Sequence, residues 1–92
     1  MIRGFRHKGL ARYFERSETK GLQAAHVARI RRILDLLDAA ERIEELDIPG
    51  LGLHPLKGDR KGRWAVSVSG NWRITFVFAD GEAIDIDLED YH

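Results

Sequence analysis

The feature that most limits the fold is a change of period at Pro49-Gly50. Before it, Val27, Ile30, Leu34 and Leu37 recur at steps of three and four, with Ile33 and Ala40 widening the stripe and charges opposite. That spacing predicts one amphipathic helix over residues 22 to about 46. Pro49 closes it by lacking a backbone donor, and Gly50 by accepting positive φ. After Gly50 the period becomes two. Trp64, Val66 and Val68 alternate with small or polar residues, and Trp72, Ile74, Phe76 and Phe78 alternate with Arg73, Thr75, Val77 and Ala79. Ile84, Ile86 and Leu88 then alternate with Asp85, Asp87 and Glu89. Gly70-Asn71 and Asp80-Gly81 separate these runs as hairpin turns.

The remaining segments complete the order. Residues 2–6 read as a first strand, and residues 8–16 read as a short helix because Leu10, Tyr13 and Phe14 share a face. Residues 51–56 are strand-like, and residues 57–62 form a charged, glycine-containing turn. The sum is an α+β domain spanning residues 1–92, in the order β-α-α-β-β-β-β, with two helices packed on one face of a mostly antiparallel sheet. Alternation then assigns faces. Trp64, Val66, Val68, Ile74, Phe76, Ile84 and Ile86 go to the helix-covered side, while Ser67, Arg73 and Thr75 go to the open side. If Leu53 points inward, His54 joins that open face.

Composition narrows the chemistry. No cysteine is present, which excludes disulfides, cysteine–zinc sites and thiol catalysis. No apolar run reaches the roughly 18 residues that a membrane span needs, and the first residues lack the apolar core of a signal peptide. The cytoplasm is the expected compartment. Fifteen basic and fifteen acidic residues cancel in the net charge, but they are not mixed. Residues 1–32 hold Arg3, Arg6, Lys8, Arg12, Arg16, Lys20, Arg29, Arg31 and Arg32 against Glu15 and Glu18. Residues 80–90 hold Asp80, Glu82, Asp85, Asp87, Glu89 and Asp90 with no base. Such polarity gives one side for a polyanion and another for a basic partner.

Against that background a set of proton carriers and cations stands out: His54, Lys57, Arg73, Asp90, Tyr91 and His92. Cleaving RNA by 2′-OH attack needs a base, a cation for the phosphoryl oxygens and an acid for the departing 5′-oxygen. Histidine suits the proton roles and arginine the phosphate role. Each residue also has a plainer reading. His54 is equally a surface strand histidine, Lys57 part of a solvated basic turn, and Arg73 a partner for Asp85 or Asp87. Tyr91 is equally an edge staple, and His92 a frayed end. Arg60, Lys61 and Arg63 extend the basic turn. Arg12, Arg16, Arg29 and Arg32 offer a second strip to a polyanion, or an ordinary solvated helix face. Trp64 and Trp72 read as core. His7 and His26 have no metal-ligand spacing and read as surface residues, so neither a metal nor a cofactor is expected.

Three separated blocks carry a resemblance: Leu53-His54-Pro55-Leu56-Lys57-Gly58-Asp59-Arg60, Asn71-Trp72-Arg73-Ile74-Thr75-Phe76, and Asp90-Tyr91-His92. With the opening residues 2–10 they make the chain similar to HigB-type toxins of the RelE-like superfamily, from type II toxin–antitoxin pairs. The resemblance implies a RelE-like microbial RNase fold and a ribosome-dependent mRNA endonuclease that cuts in the 30S A site, against 16S rRNA, without a metal. It implies His54, Lys57, Arg73, Asp90, Tyr91 and His92 as the active site. Lys57 and Arg73 would hold the phosphate, His92 would be the acid, and His54 the base or its positioner, with the identity of the base left open. Tyr91 would orient the nucleotide and Asp90 a neighbouring group. It further implies a HigA-type helix-turn-helix antitoxin, with operator DNA reached only through that partner. The rival within the same fold is a ParE-like inhibitor of DNA gyrase, which needs no proton-transfer set.

Overall fold

The computed structural model describes residues 1–90. The helical half divides where the sequence suggested continuity. A 3-10 turn, Ala24–His26, leads into α2 (Val27–Ala39), and Ala40 then turns extended. A second 3-10 turn, Ile43–Leu46, follows, and the Arg42 N–H donates to Glu45 Oε2 at 3.1 Å. The long stripe is therefore three pieces that share one core: Ile30, Ile33, Leu34 and Leu37 from α2, Ala40, and Leu46 from the second turn. The earlier helix α1 (Lys8–Arg16) contributes Leu10 and Tyr13. His7 caps it by accepting the Leu10 N–H on Nδ1 at 3.1 Å. It ends where Ser17 adopts the left-handed conformation, with φ 58°.

The alternating half forms a four-stranded antiparallel meander in the order β1-β2-β3-β4. The strands are β1 (His54–Pro55), β2 (Arg63–Ser69), β3 (Trp72–Ala79) and β4 (Glu82–Asp90). The expected strand over residues 51–56 is thus much shorter. Both hairpin turns form. Asp80 and Gly81 have φ of 53° and 75°, the double positive-φ pattern of a type I′ turn. At Gly70-Asn71 only the first residue has positive φ, which is why glycine comes first there.

Residues 2–6 do not make a regular strand. They run parallel to β4 and touch it through two bridges, Ile2 to Ala83 and Phe5 to Ile86. The reason lies in β4, where Thr75 pairs with Asp87 but Val77 pairs with Ile84, so Phe76 faces two residues. This bulge places Asp85 at φ 57°. It also shifts the alternation, so Ala83 and Ile86 are fully buried and Ile84, expected inside, is outside the core. Val66, Val68, Ile74, Phe76 and Ile86 pack inward as expected. Trp64 is half-buried against that core. The helices cover this one face and leave the other face of the sheet open.

Candidate active site on the open face of the sheet

Strand register places two of the candidate residues, His54 and Arg73, on one face of the sheet. His54 pairs with Ala65, Ala65 with Thr75 and Thr75 with Asp87. Residues opposite one another share a face, so His54 stands on the open side as the alternation suggested. One row along, Ser67 pairs with Arg73 and Arg73 with Glu89. β1 and β3 are two inter-strand spacings apart, roughly 10 Å, so a nucleotide lying across β2 can touch both His54 and Arg73.

The individual groups are poised differently. His54 Nδ1 lies 3.0 Å from the Gly52 carbonyl. A carbonyl only accepts, so Nδ1 carries a proton and donates to it, which directs Nε2 away from that bond. Arg73 is half-buried, and its Nη1 donates to the carbonyls of Gly70 at 2.6 Å and Trp72 at 3.0 Å. Among the described residues it forms no ion pair, and its open alternative, a bond to Asp85 or Asp87, is not made. Asp85 instead takes Arg6 and Arg63, and Asp87 Oδ1 accepts the Leu88 N–H at 2.9 Å. Lys57 is exposed at the start of the 3-10 turn Gly58–Arg60. Asp90 pairs in register with Trp72, one position on from the Arg73–Glu89 pair, so alternation turns it to the face opposite Arg73. Tyr91 and His92 lie outside the described residues.

Beneath these groups runs a charge network that the sequence did not reveal. Arg60 donates to both oxygens of Glu89, with Nη1 to Oε1 at 2.8 Å. The same carboxylate accepts from Thr75 Oγ1, and Thr75 is fully buried despite its place on the open face. Arg63 adds Nη2 to Thr75 Oγ1 at 3.2 Å, Nη1 to Asp85 Oδ2 at 2.9 Å and Nη2 to the Asp85 carbonyl at 2.8 Å. The Arg60 hydrogen bonds hold the Glu89 carboxyl below its ordinary range. Burial opposes that shift, while Thr75 and the positive charge of Arg60 and Arg63 assist it. The run of acids in β4 gave no sign of this, because the bulge decides which of them meet arginines.

The proposed polyanion strips separate. Arg60, Lys61 and Arg63 follow Lys57 in the same loop, but Arg60 and Arg63 are tied into the network, and only Lys61 is fully exposed. Arg29 is a strut: its Nη2 donates to the carbonyls of Gly50 at 2.6 Å and Ser67 at 3.0 Å. Arg12, Arg16 and Arg32 belong to the helical layer, away from His54; Arg12 is half-buried, and Arg16 pairs with Glu18 at 3.6 Å. His26, read as a surface residue, is buried with its ring edge-on to Trp72, centroids 5.8 Å apart. The 3-10 turn ahead of α2 folds it inward. Among the described residues no helix is long and apolar enough to cross a membrane, and no cluster of potential metal ligands forms.

The chain is similar to known proteins in sequence and in fold. Over its full length the chain is 49% identical to a protein named Endoribonuclease HigB from Proteus vulgaris, which it also covers completely. It is 30% identical over 87 residues to Toxin HigB-1 of Vibrio cholerae, with 92% of each chain covered. The crystal structure of a point mutant of YafQ from E. coli superposes with a TM-score of 0.62, covering 96% of this chain and 89% of that one. Identity there is 16%, so it speaks for the fold alone. The family model described as "RelE-like toxin of type II toxin-antitoxin system HigB" matches residues 3–92, and the chain belongs to that HigB-like toxin family.

Proposed function

We infer that the protein is the toxin of a type II pair and acts as an endoribonuclease, cutting mRNA in the ribosomal A site. The observation that carries this reading is the shared open face: His54 and Arg73 stand in adjacent register rows, with Lys57 at the loop beside them. With Nδ1 donating to the Gly52 carbonyl, Nε2 of the neutral ring takes the 2′-OH proton or positions the group that does. Arg73 and Lys57 bind the phosphoryl oxygens and hold the charge that grows on them as the 2′-oxygen attacks phosphorus. His92 donates the proton that releases the 5′-oxygen, leaving a 2′,3′-cyclic phosphate. Tyr91 orients the nucleotide and Asp90 fixes a neighbouring group. The acid–base pair and the cations suffice for this reaction without a metal or another cofactor.

The partners in this reading are a HigA-type helix-turn-helix antitoxin, the 30S A site with its 16S rRNA, and mRNA. Operator DNA enters only through the antitoxin, and the compartment is the cytoplasm. The name carried by the Proteus vulgaris relative supports the nuclease activity. The test is purified protein added to a translation mixture with a defined mRNA, to the same mRNA without ribosomes, and to a gyrase supercoiling assay. Cuts confined to the translated message support the reading. Inhibition of supercoiling without cuts moves the function to a gyrase inhibitor.

A further inference from the structure

The ladder between β1 and β2 consists of two pairs, His54 with Ala65 and Pro55 with Trp64. Just before His54 the chain leaves that ladder, with Gly50 at φ 88° and Gly52 at φ 66°. Yet this segment carries the group that orients His54, because the Gly52 carbonyl accepts from Nδ1. What fastens it is Arg29, from the first turn of α2. Its Nη2 donates to the Gly50 carbonyl at 2.6 Å and to the Ser67 carbonyl at 3.0 Å, and its Nε donates to Ser67 at 3.2 Å. The Ser67 N–H donates to the Leu51 carbonyl at 2.9 Å. An added Cβ on Gly52 would lie 3.7 Å from Ser67 Cβ, so the segment rests directly on that strand position. Ser67 is in turn the register partner of Arg73.

One guanidinium therefore joins the segment that holds His54 to the strand position opposite Arg73. A planar fork reaches two acceptors at once, which the single ammonium of a lysine does less well. Arg29 is half-buried, and its donors go to backbone carbonyls. Just ahead of it, His26 packs edge-on to Trp72, whose carbonyl accepts from Arg73 Nη1. The start of α2 thus bears on both halves of the candidate site. We propose that Arg29 is a positioning residue: by fastening residues 50–52 to β2, it holds the His54 ring at a fixed reach from Arg73. The placement of His54 stands on these contacts alone; its consequence for RNA cleavage rests on the nuclease reading.

The test compares the full chain with Arg29→Met and Arg29→Lys, each carrying isotope-labelled histidine for NMR, with His54→Gln to assign the His54 ring signals. In the parent, at a pH where His54 is neutral, the Nδ1–H form is expected to dominate. In Arg29→Met it should give way to the Nε2–H form that a free imidazole prefers, and Arg29→Lys, which keeps a donor, should fall between. Single-round cleavage on saturating programmed ribosomes should slow about 10- to 100-fold in Arg29→Met, the scale for a displacement of roughly 1 Å, with partial recovery in Arg29→Lys. Circular dichroism checks folding; if Arg29→Met does not fold, Arg29→Lys alone is read against the parent. A lower urea midpoint with the parental tautomer and rate would reduce Arg29 to a stabilising contact and overturn the proposal. A slower rate with the parental tautomer would mark a direct phosphate contact and also overturn it. A tautomer shift, with no cleavage even by the parent, supports the placement of His54 and retires the nuclease reading.

Discussion

The Arg60 guanidinium holds the Glu89 carboxylate through two hydrogen bonds, tying the loop that begins at Lys57 to the β4 residue before Asp90. The pair is largely shielded, with side-chain exposures of 31% and 22%. It therefore fixes one phosphate-binding candidate relative to the strand that leads into the proposed acid.

Glu89→Gln keeps the shape and removes the charge. It should cost about 1.5–3 kcal/mol, the range for a hydrogen bond to a charged group, read as a lower urea midpoint with unchanged slope. The pH dependence follows from the direction of the shift. The folded carboxyl titrates below its ordinary 4.5, so its stabilisation is complete above that value and fades as pH falls through the folded pKa. The parent should lose stability in this acid range more steeply than Glu89→Gln. Parallel profiles would show that the carboxylate contributes nothing.

Asp85 combines a positive φ of 57° with two arginine partners. Asp85→Ala takes the carboxylate from Arg63, whose side chain is only 11% exposed and keeps just Thr75 Oγ1 and a backbone carbonyl, and puts a Cβ-bearing residue without a compensating polar group in the left-handed region. A loss of about 2–4 kcal/mol is expected in chemical denaturation. Asp85→Asn tolerates the backbone and retains an acceptor for Arg63, so it should lose less than half as much. Equal losses would mean that charge, not conformation, dominates the bulge.

Gly9 lies inside α1, where alanine ordinarily gains about 1 kcal/mol. Here an added Cβ would meet His7 Cε1 at 2.8 Å, so Gly9→Ala should destabilise instead. His7→Ala alone loses the cap, about 0.5–2 kcal/mol. With the imidazole gone, the same Gly9→Ala change should become stabilising. A thermal double-mutant cycle checks that reversal of sign.

Much of this fold is legible because burial imposes period. The inward set Val66, Ile74, Phe76 and Ile86 and the open-face position of Arg73 follow from alternation, while that of His54 also required Leu53 to point inward and is set by its pairing with Ala65. The bulge at Asp85 breaks the rule, because one extra residue reverses the faces upstream of it and sends Ala83, not Ile84, inward. The Glu89–Arg60–Thr75 network depends on long-range side-chain reach, 29 residues from Arg60 to Glu89, which no local pattern encodes. Arg29 shows the same limit. Its spacing fits a solvated helix face, whereas its guanidinium closes the carbonyls of Gly50 and Ser67.

Arg73 on the open face is proposed to stabilise charge during cleavage. The direct measurement is single-round cleavage of a defined mRNA on programmed ribosomes, with 5′ ends mapped for the parent and Arg73→Ala, and folding checked by circular dichroism. Codon-phased cuts are expected, at a rate that falls about 10²–10³-fold in the variant, the loss for one charge-stabilising donor. A folded Arg73→Ala that cuts at the parental rate would contradict this role.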